Sequence, residues 1–103
     1  MNKLSLSMLA LAAALFATAP AHAGDVAAGK SKAEDCVDCH GDDGKGDEDN
    51  PSIAGMAPAE FVKAMDEYKA GKRTKSDKMT KAAKKLSAAD IADLAAYYAT
   101  LKK

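Results

Sequence analysis

The 103-residue sequence predicts one all-α domain. No stretch alternates apolar and polar residues with a period of two over strand length, which argues against sheets. Two segments instead carry apolar side chains at helical spacing: Phe61, Met65 and Tyr68 beside Val62 and Ala64, and Ile91, Leu94, Ala95, Tyr98 and Leu101. No internal repeat appears, and the length suits one domain.

Taken in order, the chain opens with Met1-Asn2-Lys3, an apolar run from Met8 through Phe16, and Ala21-His22-Ala23, a small-x-small cleavage pattern. This predicts an export signal peptide over 1–23 with the mature domain at 24–103. The alternative is an uncleaved anchor over Leu4 to Ala23, but the strongly apolar part is short for a membrane span. A first helix is expected from Asp25 to Asp35, with Asp25 as N-cap and Gly29 in its middle. Glycine there costs up to about 1 kcal/mol relative to alanine and so points to close helix packing. Gly41 to Asn50 has three glycines and no apolar side chain, the composition of a loop. Its acids do not follow the spacing of an EF-hand calcium loop.

Pro51 to Met56 is irregular but apolar enough to lie against a core. Pro58 opens the next helix and Gly71 closes it. Lys72 to Lys78 is a basic loop, after which Met79 heads a short helix carrying Ala82, Ala83 and Leu86 on one face. Ser87-Ala88-Ala89-Asp90 resembles a capping box, with Asp in place of the stronger Glu or Gln. It starts the final helix, whose C-terminal end suits Lys102 and Lys103.

Without residues 1–23 the domain has 80 residues, a size at which an apolar core alone is marginal. Cys36 and Cys39 are the only cysteines and lie too close together to staple it. Charge is balanced overall, 15 basic against 15 acidic, but unevenly placed. Asp25 to Asn50 holds nine acidic and three basic residues, Pro51 to Lys103 six acidic and eleven basic. Such a dipolar surface orients a protein partner before contact.

The stretch that carries chemistry is Cys36-Val37-Asp38-Cys39-His40, the C-x-x-C-H pattern of covalent c-type haem attachment. Each thiol adds to one vinyl group of the porphyrin, and the adjacent imidazole serves as an axial ligand of the iron. A thioredoxin-like dithiol would need a βαβ setting that this helical sequence does not offer. Structural zinc would need two further ligands, yet beyond residue 23 His40 is the only histidine and there is no third cysteine. For the sixth iron ligand the candidates are methionines. Met65 belongs to the helical core face, and Met56 follows His40 too closely to leave its side of the haem. Met79, beyond a helix and a loop, can reach the opposite face and is the expected ligand; the alternative is a packing methionine with an open iron.

These segments together resemble the class I c-type cytochromes. Gly24 to Gly29 followed by Cys36 to Gly41 is similar to that family's first helix and attachment segment, Pro51 to Gly55 to its proline segment, and Ser87 to Tyr98 to its closing helix. The resemblance extends to small bacterial monohaem carriers, to single domains of dihaem cytochromes, and to the cytochrome subunit of flavocytochrome c sulfide dehydrogenase. It implies the class I cytochrome c fold, with helices wrapped around one covalent haem c and its iron. It implies thioethers at Cys36 and Cys39 and axial ligation by His40 and Met79. It also implies a Pro51 carbonyl accepting from the His40 ring, and Ile53 pressed on the haem face. Gly29 would let the first helix cross the last near Tyr97 or Tyr98. The first helix lacks the aromatic residue of many members, with Ala33 as its counterpart. For Tyr97 and Tyr98 both ordinary packing and a hydrogen bond to a propionate are open readings.

The function expected is a soluble periplasmic carrier that passes single electrons and is not itself an enzyme. The alternative is the haem subunit of a flavocytochrome c-type sulfide dehydrogenase, with a flavoprotein partner. Lys69, Lys72, Arg73, Lys75, Lys78, Lys81, Lys84 and Lys85 are expected to form a docking rim for an acidic redox partner. Neither nucleic acid nor stable membrane insertion after signal cleavage is expected.

Overall fold

The computed structural model describes residues 24–103; the expected leader, residues 1–23, lies outside them. Five helices follow in order: α1 Val26–Lys32, α2 Glu34–His40, α3 Pro58–Lys69, α4 Asp77–Lys84 and α5 Ala88–Ala99. No strand occurs among the described residues. The domain is all-α, as expected.

Local chemistry accounts for most of the helix ends. The Asp25 carboxylate caps α1 by accepting from the Ala28 N–H at 3.1 Å. Helix α3 begins with Pro58 at its first position and ends at Ala70, followed by Gly71 at φ 75°. At the start of α5 the capping box is complete: the Asp90 N–H donates to Ser87 Oγ and the Ser87 N–H to Asp90 Oδ2, both at 3.0 Å.

Four boundaries differ from the sequence reading. The first helix does not run through to Asp35; it breaks at Ala33 and resumes as α2, which contains the whole cysteine motif. Ala33 keeps helical angles, and the break turns its side chain into the core, where it is 2% exposed. Helix α4 starts at Asp77 rather than Met79, because the Ser76 hydroxyl accepts from the Met79 N–H at 3.2 Å and so caps the helix two residues earlier. Leu86 and Leu101 lie just beyond α4 and α5 and still pack against the core.

Helix α5 is the hub. It packs against α1 and α3, and α3 in turn packs against α4. The α1–α5 crossing is very close: a Cβ on Gly29 would stand 2.0 Å from the Asp93 carbonyl oxygen and 2.8 Å from the Tyr97 Cβ. Glycine is therefore required there by approach, whatever its helix propensity. The crossing also has a polar clamp. The buried Asp93 carboxylate accepts from the Asp25 N–H at 2.9 Å and from Lys32 Nζ at 2.6 Å. Lys32 Nζ also lies 2.8 Å from Asp90 Oδ1.

The buried apolar cluster is small: Ala33, Phe61, Met65, Ala83, Ile91, Leu94, Ala95 and Tyr98. Met65 thus sits in the core. Around this cluster lie half-buried apolar groups, among them Cys36, Ile53, Met56 and Met79. For a domain of this size such a core needs reinforcement.

Candidate functional site

The attachment motif is delivered by α2, whose acidic first turn, Glu34 and Asp35, faces the positive end of the helix dipole. Cys36 is half-buried, Cys39 exposed, and the two thiols are not joined to each other. Burial pushes the Cys36 thiol up, which disfavours its thiolate. His40 ends the helix and is 6% exposed.

The loop after α2 folds back to orient that histidine. Gly46 N–H donates to the His40 carbonyl at 2.8 Å, and the Gly44 carbonyl accepts from Ile53 and Ala54 N–H at 2.7 and 3.0 Å. Gly44 itself is buried at φ 73° against the Tyr98 ring, a place that combines a left-handed backbone with no room for a side chain. Gly55 N–H then donates to the Tyr98 carbonyl at 2.9 Å, which fastens the segment to α5. The outcome for His40 is specific: Nδ1 lies 2.9 Å from the Pro51 carbonyl oxygen. A carbonyl can only accept, so Nδ1 carries the proton and Nε2 is left with its lone pair.

In the acidic part of the loop, Asp47 accepts from the Asp49 and Asn50 N–H groups, both at 2.9 Å, which hold its carboxyl below the usual range. That is turn chemistry. Among the described residues no group of three or more His, Cys, Asp or Glu is arranged to hold a metal ion.

Ile53, Met56 and Met79 all border the core cluster that Cys36 touches. Met56 follows directly from the segment bonded to Gly44 and His40, whereas Met79 comes from α4. The Tyr98 hydroxyl is sealed from solvent, beside Cys36, and makes no well-formed hydrogen bond. A lone-pair nitrogen on a fixed ring, two thiols on one helix, a half-covered apolar rim and an orphaned buried hydroxyl together fit a large flat cofactor attached through α2.

Two features escaped the sequence reading. Asp93 interrupts the apolar stripe between Ile91 and Leu94, and that irregularity was its only local signal. Two of the basic side chains expected on the rim have partners within the chain: Lys69 Nζ donates to the Leu86 carbonyl at 2.5 Å, and Arg73 pairs with Glu67 at 2.9 Å while lying over the Tyr68 ring. Lys72, Lys75, Lys78, Lys81, Lys84 and Lys85 are exposed.

Comparison with known proteins agrees with this geometry. The family model for cytochrome c matches residues 26–102. Cytochrome c4 of Pseudomonas aeruginosa is 45% identical over 104 residues, covering 99% of this chain and 50% of its own length. Cytochrome c-554(548) of Halomonas halodenitrificans is 41% identical over 81 residues, covering 76% of this chain and 98% of its own. The crystal structure of reduced recombinant cytochrome c4 from Pseudomonas stutzeri superposes with a TM-score of 0.69 at 34% identity, over 78% of this chain and 47% of that one. The chain thus spans about half the length of these cytochrome c4 relatives. On this evidence the chain belongs to the cytochrome c family, with the class I fold and a covalently bound haem c.

Proposed function

We propose that this protein is a periplasmic one-electron carrier, exported by cleavage of residues 1–23, in which Cys36 and Cys39 hold the haem and His40 and Met79 ligate its iron. The observation that carries the reading is the buried His40 ring, oriented by the Pro51 carbonyl at 2.9 Å on the same short helix as both cysteines. Haem supplies the ferric–ferrous couple. Everything else is done by the chain. Pro51 keeps the proton on Nδ1 and so presents Nε2 as the donor, the role of an outer partner to a ligating histidine. Met79 offers a soft thioether that favours the ferrous state, and Ile53 and Met56 add apolar cover that excludes water. With His40 and Met79 both holding the iron, small substrates would be kept from it, which would suit transfer without catalysis.

The exposed lysines of the 72–85 segment supply a long-range attraction for an acidic partner that weakens with salt. Among the described residues no helix is long and apolar enough to cross a membrane. Voltammetry of the purified haem protein tests the proposal: one reversible one-electron couple is expected, with no turnover of substrate by the chain alone. Catalysis by the isolated chain would overturn it. Purification from the native periplasm at low salt separates the carrier from an enzyme subunit, since stable copurification of a flavoprotein would assign the chain to a complex.

A further inference from the structure

Tyr98 is 1% exposed and its ring is held on every side. Phe61 stacks on it with centroids 5.8 Å apart, and Tyr97 meets it edge-on at 5.1 Å. Gly44 closes the remaining face: a Cβ there would stand 3.1 Å from two ring carbons. The hydroxyl therefore has one fixed direction, and it lies beside Cys36 without a well-formed hydrogen bond. Packing alone does not require this oxygen. Phenylalanine would fill the same space without leaving a buried donor unpaired.

We propose that Tyr98 is a positioning residue of the haem site, its hydroxyl donating to the Cys36 sulfur once that thiol has become a thioether. The inference rests on the attachment at Cys36 proposed above. In attachment the thiol adds across a vinyl double bond: sulfur bonds one carbon and the thiol proton passes to the other. A thiol can both donate and accept, so in the free chain the pair has no fixed sense. A thioether sulfur can only accept. Attachment thus turns the Tyr98 proton toward the sulfur and the porphyrin edge that bears it. The positive end of the O–H dipole then disfavours the more highly charged ferric state, which raises the reduction potential. Burial also pushes the phenol well above its ordinary value, so the proton stays on oxygen at working pH.

The test compares the holoproteins of wild type, Tyr98→Phe and Tyr97→Phe. In redox titrations Tyr98→Phe should lower the reduction equilibrium constant about threefold, about 28 mV for one electron, equally at pH 6 and pH 8. Tyr97→Phe should leave it unchanged. Independently of any variant, the C–S stretching bands in the resonance Raman spectrum of wild type should shift in deuterated water, and that shift should be absent in Tyr98→Phe. An unchanged potential, or no isotope sensitivity in wild type, overturns the proposal. A change that follows the titration of an acidic group assigns the hydroxyl to a propionate and overturns it too. The mass of the haem peptide reports attachment at Cys36 separately; if that thioether is missing, the reading of the site falls along with the role of Tyr98.

Discussion

Replacing Gly29 with alanine sets two effects of opposite sign against each other. Helix propensity favours the substitution by up to about 1 kcal/mol, since Gly29 sits inside α1. Packing opposes it. The new methyl would stand 2.0 Å from the Asp93 carbonyl oxygen, 2.7 Å from the Asp93 carbonyl carbon and 2.8 Å from the Tyr97 Cβ, whereas comfortable carbon contacts are about 3.5–4.0 Å. All three contacts lie on a helix backbone or at its root, so no rotamer change relieves them and α1 must lift off α5. Overpacking of this kind costs about 1–3 kcal/mol. Lifting also stretches the Asp25–Asp93 and Lys32–Asp93 bonds of 2.9 and 2.6 Å, which acts in the same direction. The net expectation is a loss of about 1–3 kcal/mol, which lowers the melting temperature by about 5–20 °C in a domain of this size. Chemical denaturation of the haem-loaded protein, followed by circular dichroism, gives the number. Unchanged or increased stability would refute the crossing geometry and leave propensity as the controlling effect.

Asp93→Ala should destabilise by about 0.5–1.5 kcal/mol by the same assay, because the part-buried hydrogen bond from the Asp25 N–H is lost. Ser87→Ala removes the hydroxyl half of the capping box and should cost about 1 kcal/mol. Lys32 and the Ser87 N–H hold the Asp90 carboxyl at about 2, below its ordinary 3.8. Its contribution is therefore complete above about pH 4 and is lost as pH falls toward 2, so thermal melts between pH 5 and 2 should show a decline that Asp90→Asn reduces. Met79→Ala should abolish the ferric methionine-to-iron charge-transfer absorption and lower the potential, while Met56→Ala should retain the band; the reverse pattern would move the axial role to Met56.

What could be read in the sequence was what is encoded within about one helical turn. Asp25, the Pro58 and Gly71 pair, and Ser87 with Asp90 mark helix ends because each cap satisfies its own neighbours. The attachment motif is equally local, which is why its cofactor could be named from five residues. The break at Ala33 could not be seen, since alanine and its neighbours all tolerate helix and only the core demands the turn. The Asp93 clamp joins groups 61 and 68 residues apart, beyond any periodic signal. The inward turn of Lys69 was hidden for a similar reason: it is drawn by the Leu86 carbonyl, 17 residues away, which follows the end of α4. The Tyr98 hydroxyl looked interchangeable with that of Tyr97 until Gly44, Phe61 and Cys36 gave it a direction.

The meeting of α1 with α5 also sets an order in time. Contacts between segments more than 60 residues apart must await chain closure, which is slow relative to the turns around Cys36 and His40. A chain made from its N-terminus therefore displays the cysteine motif before α5 exists to seat Tyr98 beside it. Docking of α5, which brings Tyr98 beside Cys36, half-buries the thiol, and that burial pushes its pKa up. The last helix is thus a late cover over a thiol that its own neighbours in sequence leave open.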